Sequence, residues 1–303
     1  MALYAAPRTI IGAWSWGPSR TWDFGRDYGV VDLEAFVMRL AREDVFIDTA
    51  AGYGRGHSND LIRIAIERYS APWRVISKVQ PWHATSGRLL QGAVNRVLAN
   101  TACGTVDELV LHNPAPRRLL TGIASNFRRL KEEGVVQSVG LSNFSASLLP
   151  EALAIFTEAG LAVRSLHRSA SLVAQAVFVD GTAEFCRNNS IELVTHGVLG
   201  QGLLSGRVEE LPAAARKRRH ISDELVFQTR YLRRLLEDLG VAHRCSAGAV
   251  SLAWARAKGC TPIYGVHSWE QLSGSPLWNP LTLRSEELVA LDIATAPWRE
   301  SKK

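Results

Sequence analysis

The chain has 303 residues, 47% of them hydrophobic and 21% charged, with a net charge of +6. It can bury a sizeable core. No apolar run approaches the roughly 20 residues needed to span a bilayer, and the N-terminal MALYAAPRTI lacks the apolar stretch and cleavage site of a signal peptide. The four cysteines, Cys103, Cys186, Cys245 and Cys260, are scattered without metal-ligand spacing; they suit free thiols in a cytoplasmic protein and suggest no metal site.

Short apolar runs alternate with stretches of helical spacing along the chain. Residues 10–17 read as a first strand running into an aromatic loop, with Trp14, Trp16 and Trp22 close together. Asp32 can cap a helix over 33–41, where Leu33, Phe36, Val37 and Leu40 recur at helical spacing. Strand two, 45–48, breaks at Asp48 into a small-residue loop carrying Tyr53, Gly54 and Gly56, and a helix starts near Ser58. Strand three, 75–78, ends in Lys78, followed by Gln80-Pro81-Trp82-His83 and a helix over 87–102. Strand four, 106–111, ends in His112, Asn113 and Pro114, where the proline removes a backbone donor. A helix over 119–133 stops at Gly134, and strand five, 138–141, leads to Ser142 and Asn143. A helix over 148–159, a sixth strand near 162–166, a helix over 182–188 and a seventh strand, 191–195, follow. A glycine loop at 200–206 precedes a basic loop at 207–222, and helices at 223–239 and 246–257 lead to strand eight, 261–264, and a last helix that includes 286–294.

Eight strands with intervening helices predict an α/β protein, a single parallel (β/α)8 TIM barrel spanning 1–303. Asp48, Tyr53, Lys78 and His112 fall at or just past the C-terminal ends of successive strands, the rim where such barrels build active sites. Singly, each has a structural reading: a cap, a solvated strand end, a satisfied histidine. As a set they suffice for proton transfer. A phenol with a pKa of about 10 is a poor acid near neutrality, and a neighbouring ammonium lowers it. The cluster ARKRRH at 215–220 carries much of the positive charge. A solvated loop is favoured there over nucleic-acid binding, since no nucleic-acid motif or interleaved aromatics accompany it; attraction of a polyanionic dinucleotide is the third reading.

FIDTAAGYGRGHS, residues 46–58, resembles the D-T-A-x-x-Y-G-x-G-x-S signature of aldo-keto reductases. ISKV at 76–79 resembles their lysine strand, ELVLHNP at 108–114 their histidine strand, GLSNF at 140–144 their nicotinamide-amide site and GQGLLSG at 200–206 their pyrophosphate loop. The resemblance runs in family order from about Ile10 to about Leu272. It implies Tyr53 as general acid, Lys78 and Asp48 as its tuning pair, and His112 as the group that orients the substrate oxygen. It implies NADPH (NADP+) as cofactor, with Ser142 and Asn143 on the carboxamide and His167 near the position of a family glutamine. The backbone of Gly200, Gly202, Leu203 and Ser205 would approach the pyrophosphate, and His267 and Ser268 the 2′-phosphate. Trp16, Trp22 and Trp82, with Trp14, are candidates for a substrate pocket, weighed against ordinary core packing. A small-molecule substrate and a monomer or weak homodimer complete the expectation, with neither nucleic acid nor membrane as partner.

Several positions depart from the family pattern. No tyrosine follows His167, its place falling near Ala170; His196 stands where an aromatic is usual, His267 where a basic arginine is, and Asn59 where a glutamate is. Gly274 and Ser275 occupy the place of a Glu-Asn pair. Two readings follow. One is NADPH-dependent reduction of an aldehyde, ketone or imine, with residues 216–219 compensating electrostatically. The alternative is a redox-neutral lyase, isomerase or cyclase that has lost or altered dinucleotide use and needs no cofactor. A non-enzymatic binding subunit is a third class, against which the four acid–base groups argue. The complete tetrad and the SNF segment favour the reductase.

Overall fold

Residues 8–273 and 281–299 are described by the structure, a computed structural model. Each apolar run becomes a short parallel strand: β1 (Ile10–Gly12), β2 (Phe46–Asp48), β3 (Arg74–Val79), β4 (Val106–Leu111), β5 (Val136–Ser142), β6 (Val163–Ser169), β7 (Glu192–His196) and β8 (Thr261–Gly265). They close in sequence order into a barrel, with β1 bonded to both β2 and β8. The sixth strand outruns its apolar stretch. His167 pairs with Ser142 on one side and Val194 on the other, so the ladder continues through polar residues.

Alternation along each strand sorts the side chains into two cores. Ile11, Ile47, Val75, Leu109, Leu141 and Leu166 face the surrounding helices and join the large apolar cluster. Ile10, Phe46, Ile76, Val110, Val194 and Ile263 face the other way and fill the barrel interior as a separate cluster. Two-residue steps along β2, β3 and β4 put Asp48, Lys78 and Glu108 on that same inward face. The N-terminal mouth is closed by Arg8, which donates to Glu108 and to Glu192 at 2.6 Å each and lies 4.9 Å from the centre of the Phe46 ring.

The segment 207–222, expected as a basic loop, contains a turn, Val208–Glu210, and a helix, Ala213–Arg218. Pro212 stands at the helix N-cap, and Ala, Arg and Lys are strong helix formers. The helix expected over 223–239 is two, Asp223–Gln228 and Arg230–Ala242. They part at Thr229, whose hydroxyl donates back to the Leu225 carbonyl at 2.7 Å. Among the described residues no helix is long and apolar enough to cross a membrane.

Candidate active site

The loop after β2 is held at both ends. Thr49 Oγ1 lies 2.9 Å from Ser58 Oγ and donates to Asn59 Oδ1 at 2.9 Å, with all three residues buried. Asn59 thus ties the loop to the first turn of the helix His57–Tyr69. Between these anchors runs the tight turn Tyr53–Gly56, with Gly54 at φ 57°. A Cβ on Gly54 would stand 2.8 Å from the Trp16 carbonyl, so only glycine lets the turn lie against the loop after β1. The Tyr53 hydroxyl is delivered to 3.4 Å from Lys78 Nζ, and Lys78 makes a short ion pair with Asp48.

Burial and pairing oppose each other at this centre. Burial alone would lower the Lys78 pKa. The charge of Asp48, then that of Tyr53, more than offsets it and holds the ammonium above its ordinary range. Burial pushes Asp48 upward against the pull of Lys78; the contact between the two favours the ionised pair. From the sequence, the Lys78 ammonium is expected to bring the Tyr53 phenol down toward neutrality. In the structure, burial outweighs Lys78 and the phenol is pushed up, so Tyr53 is protonated at neutral pH.

His112 is set by a chain of amides that the sequence argument missed. Asn143 Nδ2 donates to the His112 carbonyl at 3.0 Å and to Asn113 Oδ1 at 3.3 Å. Asn113 Nδ2 donates to Gln80 Oε1 at 2.9 Å, and Gln80 Nε2 lies 3.1 Å from His112 Nδ1. An amide nitrogen only donates, so Nδ1 accepts and the imidazole proton sits on Nε2. Burial, then the charge of Lys78, lowers His112 to about 4, which keeps it a neutral donor. His196, at the end of β7, is lowered to about 4 by burial and then by Lys78 and His112. The signal for Gln80 and Asn113 was their place, each just past a strand end beside a candidate catalytic residue.

The remaining expected residues fall into several places. Ser142 is buried at the end of β5, and Asn143 next to it takes a left-handed φ of 64°. His167 is fully buried in the barrel interior, close to Asp48 and Glu108. Gly200–Gly202 forms a tight turn, and the amides of Gly200, Gly202, Leu203 and Ser205 bond to carbonyls within 197–202. Leu203 itself is buried in the core. Ser205 Oγ donates to the Gly202 carbonyl at 2.7 Å. His267 stacks on Tyr28 with ring centres 3.9 Å apart, and Ser268 Oγ accepts from the Gln271 amide at 3.3 Å. Gly274 and Ser275 lie outside the described residues.

The tryptophans separate. Trp16 is 0% exposed, packed against Phe36 and Trp73, with Nε1 donating to the Val266 carbonyl at 2.8 Å. It belongs to the core rather than to a pocket, because its ring points between barrel and helices. Trp14 lies 6.5 Å from the Tyr53 ring and meets Trp22 edge-on at 5.3 Å. Trp82 is exposed in the short helix Pro81–Ala84. In the basic segment three arginines are engaged within the chain: Arg218 and Arg219 both pair with buried Asp23, and Arg216 pairs with Asp223 at 2.8 Å.

A family model for the Aldo/keto reductase family matches residues 8–295. Aldo-keto reductase YhdN of Bacillus subtilis is 25% identical over 217 residues, covering 68% of this chain and 62% of that protein, so the chain spans under two thirds of that relative. An aldo-keto reductase of Schizosaccharomyces pombe, yakc, whose name carries NADP(+), is 21% identical over 82% of this chain and 68% of that protein. Among solved structures, the glycerol dehydrogenase AKR11B4 of Gluconobacter oxydans superposes with a TM-score of 0.80 at 20% identity, over 98% of this chain and 94% of that one.

Proposed function

Since the chain belongs to the aldo/keto reductase family, we propose that it reduces the carbonyl of a small substrate with NADPH and that Tyr53 is the general acid. The observation that carries this is the Tyr53 hydroxyl, 3.4 Å from an ammonium that Asp48 holds from behind. Bound NADPH would supply the hydride to the carbonyl carbon. As charge builds on the carbonyl oxygen, Tyr53 gives it a proton, and the phenolate left behind is stabilised by Lys78. His112, neutral and carrying its proton on Nε2, donates to the same oxygen and orients it. The nicotinamide end of the cofactor fits the residues present. Asn143 uses its NH2 group on His112 and Asn113, so its Oδ1 is left to accept from a carboxamide, beside Ser142. Trp14, beside the Tyr53 ring, and Trp22, edge-on to Trp14, suit an aromatic carbonyl compound.

The engaged amides at Gly200–Ser205 favour one second reading, a redox-neutral proton transfer by the same groups without dinucleotide. Titration of the protein with NADPH, followed by tryptophan fluorescence, separates the two. Saturable quenching, tighter for NADPH than for NADH, is expected. Absence of binding at high cofactor concentration removes the reductase and leaves the redox-neutral reading.

A further inference from the structure

The proposed reaction makes no use of His167, yet this ring lies directly beneath Asp48. It is fully buried, and neither ring nitrogen has a hydrogen-bond partner. Nδ1 is 3.8 Å from Asp48 Oδ2, and Nε2 is 3.9 Å from Glu108 Oε1. Asp48 Oδ2 is itself buried without a partner. Both gaps exceed a hydrogen bond and are too narrow for a bridging water, and a tilt of the ring by roughly 1 Å closes either one.

The neighbours decide which one closes. The charged and titratable groups around the ring are Asp48 on β2, Lys78 on β3, Glu108 on β4, His112 beyond β4, His196 on β7 and Arg8 below β1. Burial, helped by Lys78 and Arg8, holds His167 well below its ordinary range and therefore neutral, with one N–H to give. Glu108 already has donors on both oxygens, Ser165 Oγ on Oε1 and Arg8 on Oε2. Asp48 Oδ2 has none. The single proton belongs on Nδ1, facing Asp48.

We propose that His167 is a positioning residue whose Nδ1–H takes up the idle oxygen of Asp48 and keeps that carboxylate from drawing Lys78 away from Tyr53. An unpartnered oxygen on a buried carboxylate attracts the ammonium already paired with its other oxygen, Lys78 Nζ. The Lys78–Tyr53 contact is the long leg of the relay at 3.4 Å, so it is the one that stretches when Lys78 moves. The inference rests on the reading of Tyr53 as the acid.

The test has two arms. In the first, 15N-histidine NMR of the whole protein, with H167Q to assign the signal, reads the tautomer of His167. An Nδ1–H form is expected, and an Nε2–H form or a doubly protonated ring at neutral pH overturns the proposal. In the second, NADPH-dependent reduction of 4-nitrobenzaldehyde is compared for the parent, H167L and H167N. H167L is expected to lower kcat about tenfold, the worth of one hydrogen bond to a charged group, with KM and NADPH affinity unchanged. H167N, whose Nδ2 is carried on Cγ as the imidazole's Nδ1 is, keeps an N–H at that reach and is expected to restore most of the loss. H167M, similar in length to the imidazole and without a donor, replaces H167L if that variant does not fold. An unchanged kcat, or a loss confined to NADPH affinity, overturns the proposal; the latter would make His167 a cofactor contact. A Tyr53→Phe variant that still reduces the aldehyde would instead remove the acid assignment, whatever His167 does.

Discussion

A methyl group on Gly140 would stand 2.7 Å from Glu108 Oε1 and 2.9 Å from Ser165 Oγ. Neither neighbour can retreat cheaply: Glu108 is pinned by Arg8 and Ser165, and both Glu108 and Ser165 are fully buried. Gly140→Ala is therefore expected to cost about 1–3 kcal/mol, the usual penalty for overpacking, read as a lower urea midpoint. A variant as stable as the parent would show that Glu108 moves freely. At Gln80 the cost is functional instead. Its amide fixes the His112 tautomer through an acceptor on one side and a donor on the other. Gln80→Leu, at a half-buried position, should leave the thermal midpoint nearly unchanged while lowering kcat for a carbonyl substrate about tenfold, the worth of roughly one lost hydrogen bond. Tyr53→Phe should lower turnover by about 10²–10⁴-fold, the range for losing a general acid, with NADPH binding retained; fluorescence titration and steady-state rates separate the two effects.

At the scale of elements, the helix Ala213–Arg218 is held to the loop after β1 by one carboxylate. Arg219 donates to Asp23 at 2.6 Å, Arg218 donates to its other oxygen, and the Arg219 guanidinium lies 5.2 Å from the Trp22 ring centre. Burial alone would raise Asp23, and the two guanidiniums more than offset it, holding the carboxyl below its ordinary range. Asp23→Asn removes that charge and leaves two guanidiniums facing a neutral amide. Amide hydrogen exchange over 213–221 should quicken at least about tenfold, the signature of a local opening, while the strand amides keep their protection. Equal protection in the variant would show that apolar contacts, not Asp23, hold the helix. This tie also marks the limit of sequence reading. The strands were legible because apolar runs and their polar ends are local signals, and the Asp48, Tyr53, Lys78 and His112 set stood out because all four sit at strand ends. The partner of Arg218 and Arg219 lies about 195 residues away, and no spacing announces it. Trp16 sits two residues from Trp14 yet points into the core, because the turn between them sends the two rings to different sides. His167 aligns with a cofactor contact and is fully buried, on a strand that continues three residues beyond its apolar run; nothing local in the sequence announces its neighbours Asp48 and Glu108.

Across the whole molecule, the barrel keeps imidazoles neutral that an unfolded chain would protonate. His112, His196 and His267 are each lowered to about 4, and His167 is held lower than its ordinary range as well, in every case chiefly by burial. An unfolded histidine binds its proton below about 6.5. Between that value and about 4 the unfolded chain therefore carries more protons than the folded one, and stability rises with pH across this window. Asp23, held low by its arginines, and Glu287, lowered to about 2 by Arg284 and His243 against burial, act in the same sense at more acid pH. Asp48 and Asp107, raised by burial, act against them, but they are two carboxyls against four imidazoles. The thermal midpoint should thus change little between pH 8 and 7 and fall by many degrees between pH 6.5 and 4, given about 2–4 °C for each kcal/mol in chains of comparable size. Scanning calorimetry across that range checks it. A midpoint that is flat or rises on acidification would mean that the imidazoles are protonated in the folded barrel. His167 would then be a cation between Asp48 and Glu108, with N–H groups for both carboxylates.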